Sequence, residues 1–169
     1  MGNKKLVVVA GPTAVGKTSV AIRLAREFHA SVVSADSRQI FREMTIGTAK
    51  PTGEELAAVR HYFIDTHSVG DDYDAAAYAT DALGVITGLF AEADTVVLCG
   101  GSGLYIKAVC DGFDEMPIVP DSIRQGLMEN YKAHGIEWLQ EQMRQRDPEG
   151  LASMDEHNPH RLIRALEVK

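Results

Sequence analysis

Residues 11–18 read GPTAVGKT and fit G-x-x-x-x-G-K-[ST] at Gly11, Gly16, Lys17 and Thr18. Each residue type has its own reason to stand there. Glycines let successive backbone N–H groups turn inward as an anion nest. A helix that begins where the stretch ends adds its own N–H groups and the positive end of its dipole. Lys17 supplies a mobile point charge, and the Thr18 hydroxyl suits Mg²⁺. Gly11, Pro12, Thr13, Ala14, Val15, Gly16, Lys17 and Thr18 are thus expected to hold a di- or triphosphate. The motif does not name the reaction.

Three further stretches carry chemistry-bearing side chains. In SADSRQ, 34–39, Asp36 follows a short apolar run, at the strand end where open α/β sheets bind ligands. Its carboxylate suits a general base, or Mg²⁺ held through water, and equally suits the N-cap of a short helix. In CGGSGLY, 99–105, glycines permit close backbone approach; Ser102 is a hydrogen-bonding hydroxyl for a substrate or an N-cap. In HNPHRLIRALEV, 157–168, Arg161 and Arg164 share a helix face. They can grip phosphates or pair with Glu156 or Glu167 on a solvated face. The six histidines form no metal set.

These residues need elements to position them. Leu6–Ala10 is a short, β-branched apolar run before Gly11-Pro12, suited to a strand buried on both faces of a parallel sheet. Lys17–Phe28 has helical spacing, and Ser31–Ala35 reads as a second strand, completing a βαβ unit. A short helix is expected over Ser37–Arg42, another over Glu54–Arg60, and a long one over Ala75–Ala91. His61–Asp65 and Thr95–Cys99 read as strands, and 48–52 as loop. Asp111–Asp121 carries two prolines; beyond Ser122 the period is helical throughout. Ile123, Leu127 and Tyr131, then Ile136, Leu139 and Met143, then Leu162, Ala165 and Leu166 mark three apolar faces. The expectation is an α/β domain over 1–114, with a P-loop NTPase-like parallel sheet and flanking helices, and a small all-helical module over 115–169.

Composition sets outer bounds. Of 169 residues, 45% are apolar and 24% charged, which is ordinary globular material. The net charge of −7 argues against a general nucleic-acid coat and leaves room for a local basic patch. Cys99 and Cys110 lack metal-ligand spacing. No apolar run reaches the length of a membrane span, and no signal-peptide core is evident. A cytoplasmic protein with reduced cysteines and no membrane contact is expected.

GPTAVGKT, SADSRQIFREMTIGTAKPT, HYFID, CGGSGLYIKAV and NPHRLIRALEV follow one another in an order that resembles the tRNA dimethylallyltransferase (tRNA isopentenyltransferase) family. The resemblance runs from residue 6 to the last residue, and SADSRQIF with IGTAKPT is more specific than the phosphate loop. It implies transfer of a dimethylallyl group from dimethylallyl diphosphate to N6 of the adenine beside the tRNA anticodon. On this reading residues 11–18 hold the prenyl diphosphate, with Thr18 on Mg²⁺ as the cofactor. Asp36 hydrogen-bonds the adenine N6 and accepts its proton, while Asp36, Ser37, Arg38 and Gln39 line the base pocket. Ser102 stands where the family has Thr. Arg124 and the stretch His160, Arg161, Leu162, Ile163 and Arg164 contact tRNA, and the helical module closes over the anticodon stem. A monomer is expected.

The chain departs from the pattern at Thr45, where Asp is common, and at Tyr62, where a second His is common. The family continues well past Ala-Leu-Glu-Val, so a C-terminally truncated chain is expected. From Asp121 to Lys169 seven Lys/Arg stand against nine Asp/Glu, so any tRNA contact there depends on a few placed arginines. Two other readings compete: a P-loop small-molecule kinase that binds ATP, with Asp36 as base for a hydroxyl, and a non-catalytic fragment that binds phosphate or tRNA.

Overall fold

The computed structural model describes residues 3–113 and 119–169, in two compact units divided between Phe113 and Asp114. Part of the expected proline-bearing segment 111–121 lies outside the described residues.

The first unit is a parallel four-stranded sheet in the order β1-β4-β2-β3. β1 is Lys5–Ala10, β2 Val32–Ser34, β3 His61–Tyr62 and β4 Thr95–Gly100. Between them run the helices α1 (Lys17–Glu27), α2 (Gly53–Ala58) and α3 (Ala75–Glu92), and α4 (Gly103–Cys110) follows β4. Strand alternation divides the core between the two sheet faces. Val33, Val96 and Leu98 pack with Tyr78, Ala82, Ile86 and Tyr105 of α3 and α4. Val32 and Val97 pack with Ala21 and Ala25 of α1.

Two expectations need correction. β1 is not buried on both faces. It pairs only with β4 among the described strands, and Val8 is 40% exposed. Residues 37–42 form successive turns rather than a helix. Their carbonyls are drawn elsewhere: Lys50 Nζ donates to Phe41 O at 2.7 Å and to Arg42 O at 3.4 Å. Lys50 also pairs with Asp65 at 2.5 Å, with its own side chain almost wholly buried.

The second unit is entirely helical among its described residues, with α5 (Asp121–His134), α6 (Ile136–Arg146), α7 (Pro148–Ala152) and α8 (Pro159–Glu167). Leu127, Leu139, Met143, Leu151, Leu162 and Leu166 form its core. Ile123, expected on the packed face of α5, is exposed. The short α7 adds a helix beyond the three expected faces. Its start is written in Asp147-Pro148: the Asp147 carboxylate accepts from Gly150 N at 3.1 Å, and Pro148 needs no N–H in the first turn.

Candidate active site

The phosphate loop spans the turn from β1 into α1. Gly16 is the residue before the helix and takes φ 88°, where a side chain would be strained. Ala14, although not glycine, is held at φ 64°. Positive φ at these two residues is a backbone conformation that suits an anion nest. No acidic residue sits in the first turn of α1, so the dipole's positive end stays uncompensated. Lys17 Nζ donates to Pro12 O at 2.5 Å and lies across the loop.

Asp36 follows β2 and uses one carboxylate oxygen locally. Oδ1 accepts from Arg38 N at 3.0 Å and Gln39 N at 3.3 Å, which shapes the turn in the manner of a cap. Oδ2 is left for other work. It lies 3.9 Å from the position a Cβ would take on Gly101, and Lys17 Nζ lies 3.8 Å from that same point. Phosphate lysine and carboxylate thus converge at the end of β4. Both line one cleft of about 320 Å³, together with Thr13, Thr18 and Gly100.

The turn after β4 sets this convergence. A Cβ on Gly100 would come within 2.0 Å of Ala35 O, so only glycine permits the approach. The Ser102 hydroxyl does not cap α4. It accepts from Ser37 N at 2.8 Å and donates to Ser37 Oγ at 3.0 Å, bracing the residue next to Asp36. Gln39 is likewise committed. Its amide donates to Thr48 O and Ala49 O and accepts from Ser34 Oγ. Ser102 and Gln39 position the loops around the cleft, and Arg38 is exposed beside them.

Beyond the expected residues, the cleft lining includes Cys99, Lys50 and Glu55. Glu55 belongs to the capping box of α2, whose Thr-x-x-Glu signature is visible at Thr52–Glu55. Burial pushes the Cys99 thiol up; nearby Lys17 pulls it down and Asp36 adds to the rise. Burial also raises the Tyr105 hydroxyl, and the Asp74 and Asp36 carboxylates add to that. Among the described residues no group of three or more His, Cys, Asp or Glu could hold a metal ion by itself.

In the helical unit, the expected tRNA contacts divide. Leu162 and Ile163 are 0% and 5% exposed and pack the core, so their side chains have no surface to offer. His160, Arg161 and Arg164 line a wide surface groove on α8. Arg124 and Arg164 both pair with Glu167 at 2.9 Å, and the Glu167 side chain is only 2% exposed.

The chain matches the model of the family described as IPP transferase over residues 39–169. It is 47% identical over 163 residues to a tRNA dimethylallyltransferase of Christiangramia forsetii, covering 96% of this chain and 54% of the relative. It is 43% identical to the corresponding protein of Cytophaga hutchinsonii, covering 98% and 55%. The chain spans about half the length of the curated relatives it matches. Among solved structures it is similar to the full-length tRNA isopentenylpyrophosphate transferase of Bacillus halodurans, with 36% identity, a TM-score of 0.64, and coverage of 98% and 55%. A eukaryotic dimethylallyltransferase acting on tRNA shares the fold, with a TM-score of 0.79 at 22% identity, covering 98% of this chain and 41% of that one. Among the described residues no helix is long and apolar enough to cross a membrane.

Proposed function

The chain belongs to the IPP transferase family, and on that footing we propose that the whole protein transfers a dimethylallyl group from dimethylallyl diphosphate to N6 of the adenine beside a tRNA anticodon. One observation carries the proposal: Lys17 Nζ and the free oxygen of Asp36 converge beside Gly101, and both residues line one cleft. The phosphate loop meets the donor's leaving group, and the carboxylate meets the acceptor's proton.

The chemistry follows from those positions. The bond from the allylic carbon to the diphosphate oxygen breaks, and negative charge grows on the leaving group. Backbone N–H groups of the loop, which Pro12 lacks, and the Lys17 ammonium stabilise that charge. The new bond forms from N6 to the allylic carbon, and Asp36 Oδ2 takes the proton released by N6. General-base help of this kind is worth roughly 10²–10⁴-fold. Thr18 would hold Mg²⁺, which would supply further charge neutralisation at the leaving group. The target base must leave its stack to reach the cleft, at a cost of a few kcal/mol. Arg161 and His160 on α8 offer phosphate contacts that can offset it. We further propose that this takes place in the cytoplasm, in a monomer.

The test uses the whole protein with labelled dimethylallyl diphosphate and tRNA, beside an ATP-turnover control. Asp36→Asn is expected to lose transfer by at least about 10²-fold. It should bind pyrophosphate nearly as well as the unsubstituted chain. ATP turnover without prenylation would replace this reading with phosphoryl transfer. Full transfer by the Asp36→Asn protein would remove Asp36 from the chemistry.

A further inference from the structure

His61 opens β3, where it pairs with Val32 of β2. Its Nδ1 lies 2.9 Å from Val59 O. A carbonyl can only accept, so Nδ1 carries the hydrogen, and in the neutral ring Nε2 presents a lone pair. Nε2 is buried without a protein partner, alone in this among the buried side-chain polar atoms of the described residues. His61 lines a small cavity of about 20 Å³. The cavity is bounded also by Thr18 of the phosphate-loop helix, Ser34, Gln39 and Cys99. A site needs about 10–15 Å³ open to a water centre, and polar partners, to hold one water.

We infer that one water bound in this cavity donates to His61 Nε2 and joins His61 to the side chains of Thr18 and Ser34, making His61 a positioning residue for Thr18. Ser34 already donates to Gln39 Oε1 at 3.2 Å, so a lone pair on its oxygen remains for the second water hydrogen. Thr18 is left to donate to the water oxygen. The water therefore ties the first turn of α1 to the β2–β3 edge, where the Asp36 loop also begins. Thr18, Gln39 and Cys99 line both this cavity and the larger cleft, so the two adjoin. The link to diphosphate binding rests on the function proposed above; the water site does not.

Two near-isosteric substitutions separate this role from a plain structural one. His61→Asn keeps a donor for Val59 O and ends short of the cavity. His61→Gln reaches the position of Nε2 and gives up the Val59 bond. Magnesium pyrophosphate binding, measured by calorimetry, is expected to weaken about fivefold to tenfold in the Asn variant and to change by less than about twofold in the Gln variant. The opposite order, or no change in either, overturns the inference. A high-resolution crystal structure of the unsubstituted chain is expected to show an ordered water within about 3.2 Å of Nε2. The absence of such a water overturns it equally. If the unsubstituted chain binds no pyrophosphate, the diphosphate reading falls, and the crystallographic result still decides the water site.

Discussion

Ser102 and Ser37 stand 65 residues apart in the chain and share two hydrogen bonds, amide to hydroxyl at 2.8 Å and hydroxyl to hydroxyl at 3.0 Å. They connect the turn after β4 to the residue that follows Asp36. Ser102→Ala removes both bonds and leaves the Ser37 amide without its partner, at a cost of about 1–3 kcal/mol. Ser102→Thr keeps the hydroxyl and should be close to neutral. Urea unfolding of the α/β unit, followed by circular dichroism, checks the order. Equal stability of the Ala and Thr variants would mean that the brace is dispensable.

Glycines give a contrast within this same unit. Gly100→Ala places a methyl group within 2.0 Å of Ala35 O, a backbone atom that cannot swing aside. The forced shift should destabilise by about 1–3 kcal/mol or more, and it separates β4 from the Asp36 loop. Gly88, in the exposed interior of α3, has nothing within 4 Å of an added Cβ. Gly88→Ala should stabilise by roughly 0.5–1 kcal/mol through helix propensity. Thermal unfolding of both variants tests the pair; stabilisation by both would show that the β4 turn relaxes freely.

The parts of the site that sequence could reach are those fixed by local spacing. Gly16, Lys17 and Thr18 adjoin in sequence, and the strand and helix around them follow from the shift of apolar period. Asp36 is placed by the end of β2. What escaped was set by contacts between segments. Gln39, expected in the base pocket, lines the cleft and also holds Thr48 O and Ala49 O through its amide, in a loop where Ala49 takes φ 48°. Leu162 and Ile163 sit between arginines in the sequence, yet helical geometry turns them inward. The Arg164–Glu167 pair follows from i,i+3 spacing, whereas Arg124 reads as a free cation until the fold brings it to the same carboxylate.

The two cysteines should differ in reactivity. Cys99 is half-buried in the cleft, and desolvation holds its thiol above the usual range, so little thiolate forms near neutral pH. Cys110 is exposed at the end of α4. Iodoacetamide labelling followed by mass spectrometry should modify Cys110 well before Cys99. Raising the pH should speed Cys99 labelling, because its folded-state pKa lies above the ordinary value and more thiolate appears only as pH approaches it. Pyrophosphate should slow Cys99 further, since the thiol lines the occupied cleft. Faster labelling of Cys99 than of Cys110 at neutral pH would contradict its burial.

Glu167 makes the helical unit sensitive to the loss of both arginines at once. Its carboxylate is nearly sealed from water, while Arg124 and Arg164 are each about half exposed. Either arginine alone still compensates the buried charge, so Arg124→Ala and Arg164→Ala should each cost only about 0.5–1.5 kcal/mol. Removing both leaves the carboxylate buried and unpaired, a situation that costs about 3–5 kcal/mol where it has been isolated. The double variant should therefore exceed the sum of the singles by at least about 1 kcal/mol. Trp138, the chain's one tryptophan, packs against this core and reports its unfolding by fluorescence in urea. Strictly additive losses would mean that water reaches the Glu167 carboxylate once its partners are gone. Replacing Glu167 by Gln in the double variant should recover much of the loss, because the buried charge is then removed along with its partners.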